Sequence, residues 1–304
     1  MKKALLSEGT LASVPRHWSP LLSTGRIVLD TYRSLRLRGI GKERSWRVLA
    51  SRFRMEIDPA DFMDQAFYLG TYARALIELI TRIVRPSDVC IDVGAQKGYV
   101  TLHLARAVGP TGLVVAVEPD PRASAILRSH CDRNSLTNTQ VHECCLGDQA
   151  GQCDFTLSHQ LGWSSRFPND LAKPAIASTI SVQTRRLDDI IEDTGIAPVT
   201  HRLSLIKIDA EGSEPLIIQG AQETLKRFRP AVHIEVNKSS LHAGGFSVHS
   251  IEALLRPLGY QFYAIRFQRT GWLQRRLSLI PVASVASDIG DGEDVLAVGS
   301  PSSL

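Results

Sequence analysis

Residues 89–99 constrain the fold of this chain more than any other stretch. An apolar run interrupted by Asp92 leads into a turn that contains Gly94 and Gly98, and apolar residues then recur at every fourth position. A short apolar run bounded by turn residues is typical of a buried parallel strand, and the repeat that follows is typical of a helix packed on a sheet. The stretch therefore predicts a strand–turn–helix unit, in which Gly94 lets the backbone turn tightly near a ligand.

The residue types in this turn indicate which ligand it takes. The dinucleotide fingerprint has three glycines, whereas this turn has two and carries Asp92 at the position of the first. A phosphate loop needs Gly-Lys followed by Ser or Thr, and here Lys97 precedes Gly98. A carboxylate suits a cationic ligand, and S-adenosylmethionine carries an ammonium and a sulfonium beside its adenosine. The alternative is an ordinary strand–turn–helix unit without a ligand.

Two further acids follow predicted strands. Residues 113–118 are predicted to form the second strand, and Glu118 at its end lies 26 residues after Asp92. An acid at that point can accept hydrogen bonds from the hydroxyls of a ribose. Residues 141–146 are predicted to form the third strand, so Asp148 just beyond it is a candidate for contact with an adenine.

A second acidic stretch ends another predicted strand, at residues 203–214. Asp209, Glu211 and Glu214 follow the apolar run there. An unpaired buried carboxylate would cost several kcal/mol, so we expect these acids in an open cleft or paired with Lys207. The alternative is that Glu211 and Glu214 cap the helix that follows.

The next predicted strand, residues 231–236, contains His233 and Glu235, which share one face because they are two positions apart. No third ligand follows at a matching spacing, so we expect no metal site. Glu235 lies at the strand end and is expected to face the same cleft as Asp209. His242 follows in the next loop.

The whole pattern alternates strand and helix over five units and ends in a pair of strands, residues 260–267 and 294–298. Right-handed crossovers make this an open, doubly wound, mostly parallel α/β sheet. Ligands of such sheets lie above the carboxyl ends of the strands. The acids expected at those ends are Asp92, Glu118, Asp148, Asp209 and Glu235.

The N-terminal part of the chain has a different composition. Between Arg16 and Arg54 there are ten Lys or Arg and two acids. Trp46, Leu49 and Phe53 recur at helical spacing, which predicts amphipathic helices. This segment is either a solvated basic cap or a surface for an anionic membrane, an acidic glycan or lipid, or a protein. We expect no nucleic-acid partner, because no motif or aromatic-lined basic groove is evident.

The cysteines and the apolar runs indicate the compartment. Five cysteines are an odd number and show no C-x-x-C pair, which favours reduced thiols over a disulfide framework. No apolar run has the length of a secretory core or a membrane span. We therefore expect a cytoplasmic protein.

Four motifs carry a resemblance to a known family. They are Ile91-Asp92-Val93-Gly94-Ala95 with Gly98-Tyr99, Val117-Glu118-Pro119, Leu187-Asp188, and Ile206-Lys207-Ile208-Asp209 with Glu211-Gly212 and Glu214. Over residues 66–299 the chain resembles the FkbM-type S-adenosylmethionine-dependent methyltransferases. The resemblance implies a class I methyltransferase (Rossmann-like) fold, with a seven-stranded sheet whose last strand, residues 294–298, is antiparallel. We accordingly divide the chain into a basic, mostly helical extension, residues 1–64, and a methyltransferase domain, residues 65–304.

The resemblance also implies S-adenosylmethionine as the cofactor and assigns contacts to it. Two positions differ from the family pattern: Gln96 stands where Asn is usual, and Ala73 follows Tyr72 where Glu is usual. The predicted cofactor-binding residues are Tyr72, Asp92, Gly94, Ala95, Gln96, Gly98, Glu118, Asp148 and Asp209.

The implied reaction is transfer of the sulfonium methyl to a hydroxyl of a sugar, glycolipid or secondary metabolite. A hydroxyl acceptor has to lose its proton, and the candidate bases are Asp209, then Glu235 and His242. Glu211 and Lys207 are expected to orient the acceptor. Two alternatives stay open: a non-catalytic binding or scaffold protein that kept the fold, and a nucleotide-dependent oxidoreductase, which the missing third glycine disfavours.

Overall fold

The computed structural model describes residues 43–49, 51–169, 175–269 and 275–299. Most of the basic segment between Arg16 and Arg54 lies outside these residues. Residues 42–304 form one compact unit. Within the described residues, no helix has the length and hydrophobicity needed to cross a bilayer.

The described elements follow one another along the chain as strands and short helices. The strands are β1 Ser45–Val48, β2 Arg54–Ile57, β3 Val89–Val93, β4 Leu113–Val117, β5 Thr139–His142, β6 Cys145–Leu146, β7 Gly151–Ser158, β8 Ile176–Arg185, β9 Leu203–Ile208, β10 Ala231–Val236, β11 Gln261–Arg269, β12 Arg275–Val282 and β13 Glu293–Val298. The helices are α1 Phe62–Leu69, α2 Arg74–Ile83, α3 Tyr99–Val108, α4 Pro121–Arg133, α5 Leu187–Asp193, α6 Glu214–Gln219, α7 Gln222–Phe228, α8 Lys238–Ala243, α9 Val248–Leu255 and α10 Val285–Asp288.

The main sheet has the strand order β12-β11-β13-β10-β9-β3-β4-β5. Strands β5, β4, β3, β9 and β10 are parallel to one another, and β13 runs antiparallel between β10 and β11. The order reverses between β3 and β9, which places a ligand crevice at the end of β3. This arrangement confirms the doubly wound class I methyltransferase fold, including the antiparallel last strand.

The sheet described here has one strand more than predicted. Residues 275–282, which lie between the two predicted strands, form β12 and pair antiparallel with β11 along its length. Leu277 in this strand is buried, so the segment gains apolar burial as well as ladder hydrogen bonds. The predicted count of seven is therefore extended to eight at one edge within the described residues.

The prediction for the third strand was wrong in its bounds. The strand of the main sheet ends at His142, and the chain then leaves the sheet at the exposed Glu143. Strand β6 joins β8 and β7 in a separate three-stranded sheet, because the Cys145 side chain packs with Phe155 and Leu157 of β7. Asp148 therefore follows a strand of the smaller sheet.

The described end of the predicted helical extension is a β-hairpin, so the helical prediction was wrong there. Strands β1 and β2 pair antiparallel, and Met55 and Ile57 alternate into the core with no exposed surface. The spacing of the apolar residues imitated a helix, but Arg52 adopts a left-handed conformation (φ 65°) and turns the chain back. The hairpin contacts α4 through a hydrogen bond from the Glu56 amide to His130 Nε2 (2.9 Å).

The chain before β3 forms the two helices α1 and α2. Gly70 ends α1 in the left-handed conformation, and Ala73 begins α2 at φ 46°. Tyr72 lies in the short connection between them. The break between the helices therefore leaves Tyr72 outside both of them.

Candidate active site

The turn after β3, residues 94–98, is shaped by packing of the chain on itself. Gly94 has φ +70°, and a Cβ there would lie 1.8 Å from the carbonyl oxygen of Asp209. Gly98 has φ +88°, and a Cβ there would lie 2.2 Å from Cδ1 of Leu127. A side chain at either position would clash as well as strain the backbone. We call residues 94–98 the glycine turn.

The Lys207 side chain holds the backbone of the glycine turn. Its buried Nζ donates to the carbonyl oxygens of Gly94 (2.7 Å) and Val93 (3.1 Å). It also lies 3.3 Å from Asp92 Oδ1 and 3.4 Å from Asp209 Oδ2. Burial opposes the charge, but Asp209 and Asp92 outweigh it and raise the pKa of Lys207. These contacts hold the ammonium against the backbone of the turn, and its role in orienting the acceptor stays a prediction.

Asp92 is fully buried at the end of β3. Its Oδ2 accepts a hydrogen bond from Thr101 Oγ1 (2.6 Å). Its Oδ1 has no hydrogen-bond partner and faces the Lys207 ammonium. This oxygen is therefore ion-paired but not hydrogen-bonded, and it keeps acceptor capacity that a further donor could use.

Three carboxylates on neighbouring strands face the open side of the sheet; we call Asp209, Glu235 and Asp294 the carboxylate row. Glu235 pairs with Asp294 in the register of β10 and β13, and Asp209 follows the neighbouring β9. The Asp209 and Asp294 side chains are 20% and 32% exposed, so the row lies in a cleft that solvent reaches. The charge of Asp209, burial and Asp294 together raise the pKa of Glu235 well above its ordinary value.

Tyr72 covers the carboxylate row. Burial, followed by the charges of Asp209 and Glu235, raises the pKa of its phenol well above the ordinary value. Its ring makes edge-on contacts with Phe67 (centroids 5.0 Å apart) and Tyr99 (5.7 Å). The phenol therefore stays protonated near the acids.

Two members of this region were missed by the sequence analysis as site residues. Asp294 is at the start of β13, whose neighbours in the sheet could not be known from the chain alone. His233 was considered only as a metal ligand; it is buried with neither ring nitrogen hydrogen-bonded, and its Nε2 lies 3.4 Å from Asp294 Oδ2. The shared face of His233 and Glu235 was the available signal.

The acids after β9 divide into two roles. The Glu214 carboxylate accepts hydrogen bonds from the amides of Ala210 (3.0 Å) and Gly212 (3.1 Å), so it fixes the backbone before α6. Glu211 accepts from Ser240 Oγ of α8 (2.8 Å). Burial raises the pKa of each glutamate to about 7. Glu211 thus borders the cleft and is fixed by α8.

Glu118 lies at the other side of the glycine turn. Its Oε2 accepts from the Gln96 amide (2.7 Å) and its Oε1 from the Asp120 amide (2.9 Å). Burial raises the pKa of Glu118 to about 7. Each carboxylate oxygen has further acceptor capacity beyond these single bonds, which a pair of hydroxyls could use.

Two predicted residues lie apart from the carboxylate row. His242 is an exposed residue of α8 and lines a cavity with Lys238 and Phe246. Asp148 is half-buried in the turn after β6. The structure brings together the other predicted residues around the end of β3, namely Tyr72, Asp92, Gly94, Ala95, Gln96, Gly98, Glu118, Lys207, Asp209, Glu211 and Glu235.

Comparison with known proteins agrees with this geometry. The family model of the methyltransferase FkbM domain matches residues 92–262, which is more than half of the chain. The chain belongs to the FkbM methyltransferase family. As an FkbM methyltransferase it is an enzyme, and its cofactor is S-adenosylmethionine. Membership supports a methyltransferase over the nucleotide-dependent oxidoreductase and over the non-catalytic scaffold.

Individual relatives are distant from this FkbM chain. The 2-O-methyltransferase NoeI of Sinorhizobium fredii is 28% identical over 190 residues, which cover 59% of this chain and 75% of that protein. Methyltransferase 1 of Beauveria bassiana is 24% identical over 197 residues, with 60% and 74% covered.

The solved structures that resemble this chain are also low in sequence identity to it. An FkbM methyltransferase from Methylobacillus flagellatus has 19% identity and a TM-score of 0.39, with 84% of this chain and 60% of that chain covered. This chain therefore spans three fifths of the length of that protein. An O-methyltransferase from Bacillus cereus in complex with SAH has 15% identity and a TM-score of 0.41, with 92% of each chain covered.

The residues of the FkbM site fit the cofactor by their chemistry. S-adenosylmethionine has an ammonium, a sulfonium and a ribose diol. The carboxylates of Asp92 and Asp209 and the aromatic ring of Tyr72 are groups that attract cations, and the Glu118 carboxylate is an acceptor that suits the diol. Among the described residues, no group of His, Cys, Asp or Glu side chains is arranged to hold a metal ion.

Proposed function

We propose that this chain methylates a hydroxyl oxygen of a sugar, glycolipid or secondary metabolite. The observation that carries this proposal is the carboxylate row, in which Glu235 pairs with Asp294 across β10 and β13 and the charge of Asp209 raises its pKa. A hydroxyl needs a base of this kind, whereas a neutral amine is already nucleophilic. The name of the relative NoeI, a 2-O-methyltransferase, supports the same acceptor type.

For the cofactor, we assign the ribose to Glu118 and the cationic groups to Asp92, Tyr72 and Asp209. The backbone of Gly94, Ala95, Gln96 and Gly98 lines the same crevice. The adenine would then lie toward the ends of β4 and β5, with Asp148 as the predicted contact beyond them. Bound there, S-adenosylmethionine supplies a methyl group already activated by the sulfonium.

The chain contributes position and a base. Oriented reactants can lower a barrier by roughly 7–11 kcal/mol, and a placed base adds roughly 10²–10⁴-fold. Sequence position ranked Asp209 first, but its carboxylate already pairs with the Lys207 ammonium. Glu235 faces mainly other acids, and the charge of Asp209 is the largest cause of its raised pKa, so we propose Glu235 as the base.

The test is an acceptor panel in which each hydroxyl compound is matched by an amine of the same skeleton. The panel contains monosaccharides, glycolipids and polyhydroxylated small molecules, and formation of S-adenosylhomocysteine and the position of the new methyl are measured. We expect methyl ethers, lost in Glu235→Gln and retained in the exposed control Glu223→Gln. Methylation confined to the amines would refute the proposal.

We also propose that the β1–β2 hairpin contacts an anionic lipid surface. Arg106 stacks on Phe53 (3.5 Å from Cζ to the ring centroid), and Arg133 stacks on Trp46 (4.7 Å). These guanidinium groups are exposed beside Arg52 and Arg54. Val48, which pairs with Arg54 across the hairpin, is 61% exposed. Exposed basic groups beside an exposed apolar side chain suit an anionic lipid surface.

A further inference from the structure

Residues 158–169, which we call the cover loop, contact both the end of β4 and the glycine turn. The base of the loop is closed by paired backbone hydrogen bonds between Thr156 and Ser165 (2.9 and 3.0 Å). Its side is fixed by Ser164, whose Oγ donates to Asp120 Oδ2 (2.9 Å). Since Asp120 is two residues beyond Glu118, the loop lies beside the crevice that we assign to the cofactor.

The tip of the cover loop is fitted to one side chain of the glycine turn. Gln96 Nε2 donates to the Leu161 carbonyl oxygen (3.0 Å). The next residue, Gly162, has φ +98°, and a Cβ there would lie 2.2 Å from the same Nε2. The tip therefore approaches the amide as closely as a residue without a side chain allows.

The residue type at position 96 is explained by this contact. Gln96 has φ +51°, a conformation that Asn tolerates better than most other residues with a side chain. The family pattern has Asn there, and Asn has one methylene fewer. Its amide would end about 1.5 Å short along the same direction, too far for a hydrogen bond to Leu161. Gln is thus less favourable than Asn for the backbone at this position, but its longer side chain reaches the Leu161 carbonyl oxygen.

We infer that Gln96 is a positioning residue that keeps the cover loop closed beside the cofactor, and that losing its contact with Leu161 speeds cofactor departure. The backbone amide of the same residue binds Glu118 Oε2 (2.7 Å). One residue therefore fixes both the carboxylate assigned to the ribose and the loop next to it. The inference concerns cofactor exchange and holds whichever acceptor is methylated.

The test is Gln96→Asn, measured without an acceptor. Trp163 within the loop reports binding of S-adenosylhomocysteine by stopped-flow fluorescence, and hydrogen–deuterium exchange reports opening of residues 159–163. One neutral hydrogen bond corresponds to about 3- to 10-fold. We expect dissociation and loop exchange to rise by about that factor, with the association rate and the urea unfolding midpoint unchanged.

Two variants make the result specific. Gln160→Asn is the same chemical change on an exposed side chain of the same loop and is expected to match the native protein. In Gly162→Ala the new methyl group would clash with the Gln96 side-chain amide, so we expect the same rise in the cofactor dissociation rate as in Gln96→Asn. Gly162→Ala also tests the inference if Gln96→Asn does not fold. The inference would be overturned if Gln96→Asn and Gly162→Ala left the cofactor dissociation rate and the hydrogen–deuterium exchange of the loop unchanged. It would also be overturned if Gln160→Asn raised both rates as much as Gln96→Asn does.

Discussion

Glu118 is the residue that we propose to bind the ribose of the cofactor, and its carboxylate is fixed by the amides of Gln96 and Asp120. Replacing it by Gln turns one acceptor oxygen into a donor facing a backbone amide and removes the charge. Hydrogen bonds to charged groups are worth about 1.5–3 kcal/mol, so we expect Glu118→Gln to weaken S-adenosylhomocysteine binding by about 10- to 100-fold. Isothermal titration measures this affinity. It is done above pH 8 so that the Glu118 carboxyl, whose pKa is raised to about 7, is ionised.

The control for this prediction is Glu223→Gln, an exposed glutamate on α7 that should bind as the native protein does. A native affinity in Glu118→Gln, together with a native unfolding midpoint, would remove Glu118 from the cofactor site.

Asp209 and Glu235 can be separated as bases by their effect on pH dependence. The charge of Asp209 is the largest cause of the raised pKa of Glu235. If Glu235 is the base, Asp209→Asn lowers that pKa, and the acidic limb of the kcat/KM profile moves to lower pH while activity persists. Glu235→Gln should lose roughly 10²–10⁴-fold.

The opposite pattern identifies the other carboxylate. A loss of that size in Asp209→Asn, with activity retained in Glu235→Gln, would make Asp209 the base. The exposed Glu223→Gln variant is the control. Its pH profile of kcat/KM shows whether loss of a surface charge alone shifts the acidic limb.

At this scale the sequence predicted residue types better than contacts. Acids at strand ends were sufficient to single out Glu118, Asp209 and Glu235, because strand ends can be read from apolar runs. The bonds of Lys207 to two carbonyl oxygens could not be predicted, since they depend on how closely β9 approaches the glycine turn. Asp294 was missed because its neighbour Glu235 is 59 residues away in the chain.

Among the elements, α1 is attached to the glycine turn by a buried ion pair. Lys97 Nζ lies 2.6 Å from Asp64 Oδ1, and both side chains are almost fully buried. Removing one partner leaves an uncompensated charge, which costs about 3–5 kcal/mol. We expect Lys97→Met to lower the free energy of unfolding in urea by about that amount.

The matched control is Lys226→Met, which removes an exposed lysine paired with Glu223 and should cost less than about 1 kcal/mol. The double variant Asp64→Leu/Lys97→Met should recover part of the loss, since no lone charge stays buried. Equal effects of Lys97→Met and Lys226→Met would contradict the account.

Secondary structure was predicted correctly where one hydrophobic pattern ran through the whole element. The strands β3, β4, β9 and β10 are continuous apolar runs, and each was predicted close to its bounds. The hairpin was misassigned because Trp46, Leu49 and Phe53 are spaced as on a helix, while the turn at Arg52 that separates them has no glycine or proline as a signal. The third strand was misplaced because Cys145 joins a different apolar cluster.

For the whole molecule, the exposed arginines of the hairpin predict binding to anionic vesicles. Each basic residue near such a surface contributes about 1 kcal/mol. The double reversal Arg52→Glu/Arg54→Glu should therefore weaken sedimentation with phosphatidylglycerol-containing vesicles by roughly 30-fold or more. Arg227→Glu reverses an exposed charge on α7 and is the control. Equal pelleting with phosphatidylcholine alone would count against the prediction.

The position of β13 has a consequence for how this enzyme is made. The strand is inserted between β10 and β11, although it is synthesised after both. A nascent chain that has emerged only as far as α10 has a gap in the middle of its sheet, with two unsatisfied strand edges facing each other, and lacks Asp294. Catalytic competence should therefore arise late and in one step on the ribosome, and stalled chains that end before residue 293 should be targets for chaperones.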